Sequence, residues 1–258
     1  MGVTMNTAVI TGAASGIGLA TAKRLNAQGY RLALLDHNQS LLQQHYSHER
    51  HQQDECHAVD VCDAQALSDA VQGFCQRQDG RLDLLLNSAG ILTLGRFEDI
   101  SSARHQQILD VNVMGTINAC QAALPFLKRG QQPLIINMSS ASAVSGIPEL
   151  AVYSASKFAI RGLTEALMHE LKRDGIRVTD IMPPFVATDM LSQQQSGAAV
   201  LDKLGVELTA DDVADAIMRQ LHHAQTHRPV GWKFTLAYWL SEGLPSVFTR
   251  QIIHWLQR

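Results

Sequence analysis

The sequence predicts an α/β fold in which one doubly wound parallel sheet carries helices on both faces, with residues 1–258 forming a single domain. Three observations carry that expectation. Short apolar runs alternate with amphipathic stretches of helical period. A strand, a glycine-rich turn and a helix follow one another at the amino end. No linker, internal repeat or low-complexity block divides the 258 residues, a length that suits one well-buried domain.

The elements can be taken in order. Thr7-Ala-Val-Ile10 is a short β-branched apolar run, Thr11-Gly-Ala-Ala-Ser-Gly-Ile-Gly18 is the glycine-rich turn, and Leu19 to Gln28 has helical composition ending at Gly29. Gly12, Gly16 and Gly18 remove the β-carbons that would hold the backbone away from a pyrophosphate. The helix that follows offers unpaired N–H groups and the positive end of its dipole. The spacing is Gly-x-x-x-Gly-x-Gly, which differs from the commoner Gly-x-Gly-x-x-Gly. A second strand, Arg31 to Leu35, ends in Asp36. A carboxylate there can accept both hydroxyls of an adenosine ribose and would repel a 2′-phosphate by about 4 kcal/mol per unit charge at ~4 Å and an effective dielectric of ~20. That favours NAD over NADP, and neither His37 nor Ala14 offers a cation to welcome a phosphate. Without the glycine motif, Asp36 would read as a turn aspartate before the loop residues His37-Asn38. Further buried strands are expected over Cys56 to Val59, Leu82 to Leu86, Leu134 to Asn137 and Arg177 to Ile181, and a later helix begins at Thr209-Ala-Asp-Asp212, which resembles a capping box.

The chemistry gathers in Ala151-Val-Tyr-Ser-Ala-Ser-Lys157, where Tyr153 and Lys157 stand at i and i+4. On a helix the two project into the same space. For a phenol to serve as a base near neutrality its anion needs about 3–4 kcal/mol of stabilisation. A cation about 5 Å away at an effective dielectric of ~20 supplies roughly 3 kcal/mol, so the lysine is expected to depress the phenol. Taken alone the pair is also what a surface tyrosine and a solvated lysine would give. The glycine turn upstream decides against that.

Together these motifs resemble the short-chain dehydrogenase/reductase family, from about Thr7 to Thr188 with a weaker continuation to Asp212, and the resemblance implies a Rossmann-like fold. It further implies that Gly12, Ser15, Gly16, Ile17 and Gly18 line the pyrophosphate and ribose, that Asp36 holds the adenosine ribose, and that Asp60 and Val61 meet the adenine. Asn87-Ser-Ala-Gly90 matches the family's Asn-Asn-Ala-Gly element, with Ser88 in place of the second asparagine, and brings Asn87, Ala89 and Gly90 to the cofactor. Asn112, within Leu109-Asp-Val-Asn-Val113, matches an asparagine that shapes a proton relay through the lysine. Ser140, Tyr153 and Lys157 complete a catalytic tetrad with it, Tyr153 and Lys157 also touching the cofactor. Tyr153 would exchange the proton, Lys157 would bind nicotinamide ribose and tune the phenol, and Ser140 would hydrogen-bond the carbonyl oxygen. Ser139 is a rival for that last role; its spacing to Tyr153 makes Ser140 the choice. After the sixth strand the family reads Pro-Gly-x-Val-x-Thr where this chain reads Pro183-Pro-Phe-Val-Ala-Thr188, so Pro184 fixes φ and removes an N–H. Pro183, Val186 and Thr188 remain to grip the carboxamide, and 189–205 is expected to be a substrate lid.

The expected activity is an NAD-dependent interconversion of a secondary alcohol and a ketone, the hydride belonging to the cofactor and the proton to the protein. An NADP-preferring carbonyl reductase and a catalytically silent NAD-binding regulator are the alternatives. Leu92, Leu94, Ala141, Ala143, Val144, Ile147, Leu150, Met190 and Leu191 should face the substrate, which argues for an apolar small molecule. The resemblance also implies a homodimer or homotetramer.

The net charge of −3 gives no reason to expect nucleic-acid binding. Cys56, Cys62, Cys75 and Cys120 show no Cys-x-x-Cys spacing and no secretory segment precedes them, so reduced thiols in a cytoplasmic protein are expected. His45, His48, His51 and His57 read as a solvated face, and no metal site is expected. No segment is long enough for a transmembrane span. Trp232, Trp239 and Trp255 all fall in the last stretch, 232–258, where many family members finish with a short strand and a Gly-Gly turn. Three readings of this aromatic extension stand: a flap over the substrate cleft, a subunit interface, or a peripheral membrane contact.

Overall fold

The computed structural model describes residues 6–46, 54–187 and 208–243. Seven parallel strands form the sheet: β1 (Thr7–Thr11), β2 (Arg31–Asp36), β3 (Glu55–Ala58), β4 (Leu84–Asn87), β5 (Leu134–Met138), β6 (Arg177–Met182) and, at the edge, β9 (His227–Pro229), in the order β3-β2-β1-β4-β5-β6-β9. A separate parallel pair joins β7 (Val186–Ala187) to β8 (Leu208–Thr209). The helices are α1 (Gly16–Ala27), α2 (Gln39–Tyr46), α3 (Ala64–Gln76), α4 (Ser102–Leu109), α5 (Gly115–Leu127), α6 (Ala151–Glu170), α7 (Ala210–His222) and α8 (Trp232–Gly243).

The period of two along each strand sorts the core into layers. Ala8 and Ile10 of β1 pack with Ala22 and Leu25 of α1 and Val213 and Ile217 of α7, while Val9 between them packs with Val71 and Phe74 of α3 and Ala123 and Leu127 of α5. Because β2 and β3 lie on one side of β1 and β4 on the other, the chain reverses direction across the sheet at the carboxyl ends of β1 and β4. A crevice opens at that point, where ligands bind in open α/β sheets.

Several boundaries differ from expectation for local reasons. Helix α1 begins at Gly16, inside the glycine motif. The capping box of α7 is present, with Thr209 Oγ1 accepting from Asp212 N and the Asp212 carboxylate accepting from Thr209 N at 2.8 Å. Strand β9 was not anticipated: His-Arg-Pro carries no β-branched pattern, and Pro229 is tolerated because the strand is an edge. The chain therefore does have a short closing strand, and the aromatic residues follow it as an addition. The expected lid over 189–205 lies outside the described residues, as do Phe248 and Trp255.

Helix α8 presents two faces. Tyr238 is buried against Ala143 and Met182 with Phe234 and Val144 beside it, whereas Trp232 (74% exposed), Leu236 (56%), Trp239 (59%) and Leu240 (56%) face outward. No described helix is long and apolar enough to cross a membrane.

Candidate functional site

The carboxyl ends of β1, β2, β4, β5 and β6 border one cleft of about 750 Å³. At the β1 turn Gly12 has φ +68° and its Cα faces the backbone of Ala89, 2.8 Å from where a β-carbon would sit, so the turn after β1 and the loop after β4 touch without side chains between them. Thr11 Oγ1 ties the same two loops by accepting from the N–H groups of Ser88 and Ala89, both at 3.2 Å. Gly18 lies beneath the turn, where a β-carbon would be 2.1 Å from Gly12 O. Ser15 caps α1 without a side-chain bond to the helix, and Ser15, Gly16 and Ile17 all line the cleft. This cradle fits a pyrophosphate: bare backbone, a helix start and no side chain in the way.

At the β2 end, Asp36 is buried and lines the cleft. Its Oδ2 accepts from Ala14 N at 3.0 Å and its Oδ1 from Asn38 N at 2.9 Å. His37 Nδ1 lies 3.2 Å from the same Oδ1, so the carboxylate organises the turn that follows β2. Val59, Asp60, Val61, Ser88, Ala89 and Gly90 form the middle of the cleft. Asn87 does not face it. Its Nδ2 donates to Asn137 Oδ1 at 2.9 Å and approaches Cys120 Sγ at 3.3 Å, joining β4 to β5 and α5 inside the sheet. Pro183 and Val186 reach the far end, while Thr188 lies outside the described residues.

The far end holds the titratable groups. Ser140 starts a single 3₁₀ turn, its Oγ accepting from Ser142 N at 3.1 Å, and its side chain favours the ionised form of the Tyr153 phenol. Ser139 points elsewhere, its hydroxyl donating to Lys157 O at 3.4 Å. Tyr153 and Lys157 lie one turn apart on α6, with Lys157 Nζ 5.5 Å from the tyrosine ring centroid and donating to Met138 O at 2.8 Å. Burial pushes the Tyr153 phenol up to about 12, with Ser140 pulling the other way, and burial pushes the Lys157 ammonium down to about 8. The expected depression of the phenol by the lysine is therefore not what the protein alone produces. Both charged forms lose water, and that loss is the largest influence on each.

Asn112 sits in a π turn, Asp110–Met114, between α4 and α5. Its Oδ1 accepts from Ile91 N at 2.8 Å, and its Nδ2 donates to Ile91 O at 2.9 Å and Ser156 Oγ at 3.0 Å. Ser156 donates onward to Tyr153 O at 2.6 Å. Ser156 is a residue that the sequence reading missed, for its bond to Asn112 spans 44 positions.

The family model for short chain dehydrogenases matches residues 6–199. An uncharacterized oxidoreductase of Staphylococcus epidermidis is 33% identical over 235 residues, covering 86% of this chain and 96% of its own. Another from Staphylococcus aureus is 31% identical over 214 residues, covering 83% and 90%. The chain belongs to the short-chain dehydrogenase/reductase family. Among solved structures, a 3-ketoacyl-(acyl-carrier-protein) reductase from Brucella melitensis complexed with NADH superposes with a TM-score of 0.80 at 26% identity, over 89% of this chain and 98% of that one. A short chain dehydrogenase/reductase from Burkholderia phymatum in complex with NAD gives 0.77 at 25% identity, over 87% and 88%. This short-chain dehydrogenase is accordingly an NAD(P)-dependent oxidoreductase with a Rossmann-like fold.

The substrate side of the dehydrogenase is apolar. Leu92, Ala141 and Ile147 line the cleft as expected from the sequence, but Leu94, Leu150, Ala143 and Val144 stand outside its lining. Pro184, Phe185 and Phe234 take their place. Among the described residues that line the cleft, Lys157 is the only lysine or arginine. Among the described residues no group of histidine, cysteine and carboxylate side chains is placed to hold a metal ion.

Burying Lys157 has a cost that stability measurements should show. A folded value of about 8 against 10.5 unfolded means the unfolded chain holds more protons between those pH values, so stability rises with pH across the window and is lowest below 8. The gap corresponds to about 3 kcal/mol. Lys157→Met is expected to be more stable than the native chain at pH 7 by up to that amount, with the difference shrinking from pH 8 to 10.5. Denaturant titrations across this range check it, and a pH-independent difference would sink the account.

Proposed function

We propose that this dehydrogenase interconverts a secondary alcohol and a ketone on an apolar small molecule and prefers NAD to NADP. The observation that carries the reading is the Tyr153 phenol, sharing one cleft with Ser140 and one turn from Lys157, with apolar walls at that end and Asp36 at the other. A bound nicotinamide supplies the hydride exchange. Tyr153 and Ser140 hold the substrate oxygen from the protein side. In ketone reduction Tyr153 gives its proton to that oxygen as the carbonyl carbon receives hydride; in oxidation it takes the hydroxyl proton as the carbinol carbon loses hydride. With its proton held at neutral pH, Tyr153 is poised as the donor, and oxidation needs the phenolate that higher pH supplies. Lys157 anchors ribose hydroxyls and, where it keeps its proton below about pH 8, favours the ionised form of the phenol. Asn112 and Ser156 act on the backbone around these groups, at Ile91 and Tyr153.

The NAD preference rests on Asp36, whose carboxylate lines the cleft at the end of β2 and would oppose a 2′-phosphate bound beside it by about 4 kcal/mol at ~4 Å and an effective dielectric of ~20. The native protein is expected to bind NAD more tightly than NADP. Asp36→Ala is expected to narrow or invert that order and to weaken NAD as well, because the N–H groups of Ala14 and Asn38 lose their acceptor. Calorimetric titration of both nucleotides decides this, tighter NADP binding by the native protein being the result that removes the NAD assignment. A panel of secondary alcohols and ketones, followed by nicotinamide absorbance, tests the reaction itself. The same reading makes the protein a cytoplasmic homodimer or homotetramer built from one domain per chain.

A further inference from the structure

We propose that helix α8 completes the substrate end of the cleft and that Phe234 is a specificity-determining residue there, reading a ring-sized apolar arm of the substrate; this rests on the alcohol–ketone reading above. Among the described residues, Phe234 is the one contribution to the cleft lining from beyond Val186. It is half-buried and packs with Ala143, Val144, Met182 and Tyr238. Ala143 and Val144 lie just behind the turn that Ser140 starts, and Met182 ends β6, so the phenyl ring is docked on the same loop that carries the oxygen-binding hydroxyl.

The docking is held from a second direction. Tyr238, one turn along α8 with its ring centroid 6.4 Å from that of Phe234, is buried and lies under the guanidinium of Arg161, whose central carbon is 5.7 Å from the tyrosine ring centroid. Arg161 is on α6, one turn beyond Lys157. Phe234 is thereby referenced to both the serine loop and the helix bearing Tyr153 and Lys157, and Tyr238 and Arg161 are positioning residues for it. Across the cleft stand Leu92, Ile147 and Phe185. A flat apolar group attached to the reacting carbon would lie between these and the Phe234 ring, where aromatic contacts favour offset or edge-to-face packing. Among the described residues that line the cleft, a phosphate or carboxylate on that arm would meet no lysine or arginine apart from Lys157.

The test measures binding of acetophenone and propanone to the enzyme–NAD complex, which has no hydride to give a ketone, by calorimetry, propanone by competition, with native protein, Phe234→Ala and Phe234→Leu. Phe234→Ala is expected to weaken acetophenone about ten-fold, the loss of one face of apolar contact, while propanone stays within about two-fold and NAD affinity is unchanged. Phe234→Leu should fall between, and it carries the test alone where the alanine variant fails to fold. Unchanged acetophenone affinity in the variants, an equal loss for both ketones, or native protein that does not bind acetophenone overturns the inference. Native protein that binds acetophenone in a Phe234-dependent way yet reduces no ketone would instead overturn the proposed reaction and leave the inference standing.

Discussion

Tyr153→Phe is expected to lower kcat by 10²–10⁴-fold while leaving the dissociation constant for NAD nearly unchanged. The substitution removes one hydroxyl, and with it the proton that the substrate oxygen must gain or lose. The ring keeps its place among Leu92, Leu150 and Ile147, and the backbone carbonyl that accepts from Ser156 is untouched. The substitution buries a less polar side chain of nearly the same shape, so stability should change by no more than about 1 kcal/mol. Steady-state rates with a cofactor titration settle the matter; a phenylalanine enzyme with more than about a tenth of native activity would remove Tyr153 from the proton step.

The second large effect is expected at Gly18. An alanine β-carbon there would stand 2.1 Å from Gly12 O and 2.8 Å from Gly12 C, both backbone atoms of the cradle itself. No side chain can rotate away to admit it. Either α1 moves outward or the turn opens, and each separates the pyrophosphate donors from the Gly12 turn. Gly18→Ala should therefore lose NAD affinity by about a hundred-fold or more, roughly 2.7 kcal/mol, and lower the melting temperature. Gly162→Ala is the matched control: it lies on the exposed side of α6 with nothing within 4 Å of the added carbon, and should stabilise the protein by roughly 0.5–1 kcal/mol. Dinucleotide titration and calorimetry of the pair separate a cradle effect from a general glycine effect. A Gly18→Ala protein that binds NAD within about three-fold of native would show that the cradle yields more easily than its contacts imply.

What could be read from the sequence was whatever is encoded over a short span. The strand before Gly12, the helix after it, the position of Asp36 at the end of β2 and the one-turn spacing of Tyr153 and Lys157 are all set by neighbouring residues, and the parallel sheet follows from repeating that pattern. What escaped is set by distant partners. Asn87 turns inward because Asn137 stands beside it on β5, a pairing fixed by strand register. Phe234 reaches the cleft because Tyr238 is held from α6, which no local pattern announces. The phenol is raised instead of lowered because packing takes it away from water, and burial is a property of the assembled fold. Strand β9 exists because β6 offers a free edge to three residues that would otherwise read as loop.

The π turn at Asp110–Met114 makes chain length matter at this point of the molecule more than side-chain identity. A π turn holds one residue more than an α turn, so α4 and α5 are out of phase by about 100° relative to a single continuous helix. That offset lets Asn112 face Ile91 and Ser156 while, three residues on, Gly115 faces Val61, where even an added β-carbon would come within 2.5 Å of Cγ2. Remove one residue from the turn and the two helices can fuse without a break, but only by swinging one past the other, and then either the asparagine leaves Ile91 or a bulkier position meets Val61. The spare residue works as a phase shifter: it allows one helical rod to satisfy two neighbours that a regular period could not address together.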